Sequence, residues 1–130
     1  MTQPSLKAVE AVDFDALLDH LSAELANTAP LYDESGAFPH ANFRLLHQHH
    51  LIALTVPKKL GGGGASLAQA RKVISAIAKG EPSTALILVM QYLQHSRLQD
   101  SQTWPAHLRV QVAQDAVQNG ALINALRVEP

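Results

Sequence analysis

The chain has 130 residues, of which 47% are hydrophobic and only 16% charged, with a net charge of −1 and no cysteine. That length suits one domain with its own core; the near-neutral balance excludes an electrostatic nucleic-acid binder, and the absent thiols exclude disulfides, thiolate zinc sites and cysteine nucleophiles. So few charges, against roughly 25% in typical globular chains, imply a surface partly covered by something else, and without a secretory signal or an apolar run near the ~18 residues of a membrane span, a cytosolic protein is expected.

Residues 1–12 are weakly patterned and read as a flexible end. From Asp13, a suitable N-cap, the residues Phe14, Leu17, Leu18, Leu21 and Leu25 form the apolar stripe of a first helix. Pro30 should stop it near Ala29, because proline lacks an N–H and disfavours helical geometry in the residue before it. A polar linker runs to Pro39, and a second helix is expected from His40 through Phe43, Leu45 and Leu46 toward His50. It carries His47, His49 and His50, but no Asp, Glu or Cys lies nearby to complete a metal site, so solvated or capping histidines are expected.

The chain turns on Leu54 to Ser66, which contains the four consecutive glycines Gly61 to Gly64. Such a run belongs where φ must be positive or where a backbone must come close without Cβ atoms. Its amides feeding a helix N-terminus suit either a bound anion or a tight structural turn; the spacing fits neither the Walker nor the dinucleotide pattern. Ser66 and Gln69 then form a capping box, opening a helix with Leu67, Ala70, Val73, Ile74, Ile77 and Ala78 on one stripe. Lys79 complements the dipole, and Gly80 occupies the position of a left-handed stop.

After Glu81-Pro82, with Ser83 as the expected cap, Thr84 to Leu93 is apolar on every side and, continued through Gln94, His95, Ser96, Arg97 and Leu98, reads as a central helix wrapped by the others. Thr84, Ile87, Leu88 and Gln91 share one face of it, which suits a ligand cleft shared with another domain or ordinary core packing. Pro105 opens a last helix with Leu108, Val112, Ala116 and Val117 along one side, ended by Asn119-Gly120. The expectation is an all-α domain over residues 13–120, an orthogonal or up-down bundle of about five helices, with 121–130 as an extended lead-in. Spacing specifies no nucleophile elbow, carboxylate pair or His-Asp-Ser set, so no catalytic residue is assigned.

Phe38-Pro39, Phe43-Arg44-Leu45-Leu46, the Leu54 to Ser66 segment, Glu81-Pro82-Ser83-Thr84-Ala85-Leu86 and Arg127-Val128-Glu129-Pro130 together resemble the N-terminal α domain of the acyl-CoA dehydrogenase family. The resemblance implies a flavoenzyme using FAD (or FMN), whose middle β domain and C-terminal helical domain would follow this one and act on an acyl-CoA or small organic substrate, in a homodimer or homotetramer. It implies that Thr84, Ile87, Leu88 and Gln91 line the substrate pocket and that Arg127 and Val128 approach the flavin. Many relatives have Thr where Val128 stands, which looks closer to reduced-flavin monooxygenases than to β-oxidation enzymes. The chain by itself is expected to hold no flavin and to be inactive. The alternative is a free-standing helical interaction module.

Overall fold

A computed structural model describes residues 6–125, with side chains from residue 13 onward. It has five α-helices: α1 (Leu6–Ser35), α2 (His40–Gln48), α3 (Leu67–Gly80), α4 (Pro82–Gln99) and α5 (Ala106–Asn119). One 3-10 turn, Lys58–Leu60, precedes the glycines, and the described residues contain no strand. Residues 121–125 are neither helix nor strand; Arg127 and Val128 lie outside the described residues.

The first helix is longer than expected at both ends. It begins at Leu6, so the N-cap assigned to Asp13 fails and residues 6–12 are helical rather than a loose end. It also passes through Pro30 to Ser35. A proline inside a helix leaves the carbonyl four residues earlier unbonded. Pro30 and Ala26 are both exposed, so water can satisfy that carbonyl.

The stripe read from the sequence does become the core: Leu18, Leu21 and Leu25 are buried, while Phe14 and Leu17 pack at its edge. They meet Val73 and Ile77 of α3, Leu88 of α4, and Leu46, Leu51 and Ile52 from α2 and the turn after it. Each such burial contributes about 1.5–3 kcal/mol. The capping box at α3 forms as expected, with the Gln69 amide donating to Ser66 Oγ at 3.3 Å and the Ser66 amide to Gln69 Oε1 at 2.9 Å. Leu67, by contrast, leaves the stripe and is 86% exposed.

Gly80 is not a left-handed stop. It stays in the last turn of α3, where an added Cβ would run into the backbone carbonyl of Ser22 on α1. Glu81 alone separates α3 from α4 and caps both. A smaller cluster of Ala53, Val56, Ala113 and Ala116, flanked by Leu60 and Val117, seats α5 against the glycine turn. Among the described residues no helix is long and apolar enough to cross a membrane.

Candidate functional site

The glycine turn resolves as structure. The amides of Gly61, Gly62, Gly63, Gly64 and Ala65 donate to the carbonyls of Lys58, Pro57, Ala53, Val56 and Leu54 at 2.9–3.1 Å. With every one of those amides engaged, the turn has none to offer a phosphate. Its glycines are required by proximity: a Cβ on Gly63 would stand 2.7 Å from the Leu54 carbonyl oxygen, and one on Gly62 would overlap Val56. Among the described residues no group of three potential metal ligands gathers. His47 instead lies against Gly120, whose missing side chain makes room for its ring.

Helix α4 buries polar side chains together with Ala85, Leu88, Tyr92 and Leu98. Its buried side carries Thr84, Gln91 and His95, each at most 1% exposed, at i, i+7 and i+11. Its open side carries Leu86, Met90 and Leu93, which are 65%, 39% and 46% exposed at i, i+4 and i+7. The expectation of a helix wrapped on all sides therefore fails on one side. Large apolar side chains aligned on an open face mark a surface meant to be covered.

The buried polar groups are fully used at the N-terminal end of α4. The carboxylate of Glu81, not Ser83, caps the helix, accepting from the amides of Ser83 at 3.1 Å and Thr84 at 2.7 Å. It also accepts from the Thr84 hydroxyl, which in turn accepts from Asn42 Nδ2 at 3.0 Å. Burial pushes the Glu81 carboxyl up, but the hydrogen bonds from Thr84 and Ser83 prevail and hold it below its ordinary value. The Thr84 hydroxyl thus has its proton committed to Glu81 and one lone pair to Asn42, and the residue is fully buried.

Of the four residues expected to share a pocket wall, Leu88 is fully enclosed in the core and Ile87 is half-buried at its edge. Gln91 turns inward to the segment leaving α5, donating to the Ala121 carbonyl at 2.9 Å and accepting from the Ile123 amide at 2.9 Å. The sequence brings the four to one helix, but only Ile87 adjoins the open face with Leu86, Met90 and Leu93. Those three escaped the sequence reading because a run apolar on every side gives no direction. The signal that was available is the polar spacing Thr84, Gln91, His95, which marks the side held by hydrogen bonds.

Beside the open face, a recess of about 300 Å3 between α3 and α4 is lined by Leu67, Ile74, Val89, Tyr92, Leu93 and Thr55. The Tyr92 hydroxyl is directed away from use there, donating to the Leu51 carbonyl at 2.6 Å. Burial pushes that phenol above its ordinary range, so it stays a neutral donor.

Comparison with known proteins adds the family context. Residues 14–98 match the family model described as acyl-CoA dehydrogenase, N-terminal domain. YdbM of Bacillus subtilis (strain 168), which carries an acyl-CoA dehydrogenase name, is 31% identical over 112 residues, covering 86% of this chain and 29% of that protein. Benzylmalonyl-CoA dehydrogenase of Aromatoleum aromaticum (strain DSM 19018 / LMG 30748 / EbN1) is 35% identical over 69 residues, covering 53% of this chain and 18% of its own length. The chain therefore spans less than a third of the length of these relatives.

Proposed function

The chain belongs to the acyl-CoA dehydrogenase family, whose N-terminal domain it matches over residues 14–98, and on that premise we propose that it forms one wall of the substrate pocket in a longer flavin-dependent oxidoreductase. The observation that carries this reading is the outward stripe of Leu86, Met90 and Leu93, beside Ile87, on an otherwise well-packed helix. An acyl or small organic substrate is apolar over most of its length, and such a face removes it from water. Thr84, Leu88 and Gln91 stand behind the wall and fix the helix that presents it.

FAD, or FMN, supplies hydride acceptance in this proposal. None of the amides in the glycine turn is free to cradle a flavin phosphate, so the cofactor is assigned to the middle and C-terminal domains, with Arg127 and Val128 approaching it. Both relatives compared carry dehydrogenase names, which favours a dehydrogenase over a monooxygenase. The same reading places the protein in the cytosol as a homodimer or homotetramer.

The test joins this chain to middle and C-terminal domains of the family and reconstitutes the product with FAD. Flavin absorbance that is bleached by an acyl-CoA thioester is the expected result, with Leu86→Asp and Met90→Asp raising KM. A reconstituted protein that takes up no flavin, or whose KM ignores those substitutions, overturns the proposal.

A further inference from the structure

Gln91 meets the outgoing segment as a neighbouring strand would. Its carboxamide donates to the carbonyl of Ala121 and accepts from the amide of Ile123, both at 2.9 Å, from a position thirty and thirty-two residues earlier in the chain. Groups on alternate residues of an extended chain lie on one edge, so a single amide can pair with both. This contact also has a fixed sense. Turned over, the amide would set oxygen against the Ala121 carbonyl and N–H against the Ile123 amide, losing two bonds.

The orientation reaches His95, which is fully buried with Nε2 3.1 Å from the same Gln91 Nε2. That nitrogen of Gln91 can only donate, so His95 Nε2 must be the bare acceptor and the ring proton must sit on Nδ1. Nδ1 has no partner. An unpartnered buried donor is costly, and such a tautomer persists only where something else requires it.

We propose that Gln91 and His95 form a directional clasp in which Gln91 is the positioning residue that sets the register of the segment leaving the helical domain, and His95 holds its amide in the required sense. This does not depend on the flavin reading. The clasp acts four residues before the position of Arg127, so it decides the line along which the polypeptide leaves the helical domain after α5.

The test uses the 130-residue chain labelled with 15N. In the unaltered protein, the imidazole nitrogens of His95 should show protonated Nδ1 and bare Nε2, and the Ile123 amide should exchange about tenfold or more slowly than those of Leu122 and Asn124, the loss expected for one hydrogen bond. Gln91→Leu should bring Ile123 to the rate of its neighbours and release the tautomer of His95. Gln91→Glu should add a second proton to His95, which a merely space-filling residue 91 would not do. A proton on Nε2 in the unaltered chain, or equal exchange at Leu122, Ile123 and Asn124, overturns the proposal even if neither variant folds.

Discussion

The carbonyl of Ser22 on α1 occupies the space that a Cβ on Gly80 of α3 would need, and the Leu25 side chain lies 3.1 Å from the same point. The two helices meet backbone to backbone there. Replacing Gly80 with alanine would ordinarily favour a helix by roughly 0.5–1 kcal/mol. Here the obstacle is main chain, which cannot swing aside. Gly80→Ala is expected to destabilise the protein by about 1–3 kcal/mol, measured as a lowered urea midpoint, the sign opposite to helix propensity.

The second expectation concerns the cap between α3 and α4. Glu81→Gln retains the shape but weakens an acceptor that serves two amides and the Thr84 hydroxyl. Loss of such a cap costs about 0.5–2 kcal/mol. The pH dependence follows from sign: the folded carboxyl sits below its ordinary 4.5, so its contribution is complete above that value and lost as pH falls through the folded pKa. Denaturation followed from neutral to acid pH should show a steeper decline below 4.5 for the unaltered chain than for the variant.

His95 gives a second window, higher on the scale. Burial pushes its imidazole below the ordinary 6.5. The unfolded chain therefore binds a proton more readily than the folded one, and stability from this group is complete above 6.5 and declines as pH drops below it. His95→Phe should flatten the stability profile just below that point. A profile there with unchanged slope would refute the assignment.

The two sides of α4 should respond oppositely to substitution. Leu88→Ala opens a cavity in the core and is expected to cost about 2–5 kcal/mol. Leu86→Gln and Met90→Gln, on the open face, should change stability by no more than about 0.5 kcal/mol. Chemical denaturation of the three variants checks the contrast. A large loss from Leu86→Gln would mean that the face is already covered within this chain.

Local signals were legible in the sequence wherever they are local in physics. Ser66 and Gln69 stand three residues apart and bond each other whatever surrounds them; Leu18, Leu21 and Leu25 fall on one side of a helix by periodicity alone. The family resemblance was equally readable from the order of short motifs. Besides the caps assigned to Asp13 and Ser83, what failed was what lay across a gap in the chain. Pro30 tolerates a helix because its side is open to water, Gly80 is a glycine because Ser22 is behind it, and Leu67 is left exposed by the described elements.

The candidate face followed the same rule. Residues 84–98 established by themselves that a helix forms, and residues 84–93 that its first part is apolar all round, since both follow from neighbours along the chain. Which side of it turns outward was decided only in three dimensions, where Asn42, Ala121 and Ile123 supply the hydrogen bonds that draw Thr84 and Gln91 inward. Buried polar atoms need partners, and those partners come from distant positions; with Thr84 and Gln91 bonded inward beside the buried Leu88 and Tyr92, the apolar stripe of Leu86, Met90 and Leu93 is left outside.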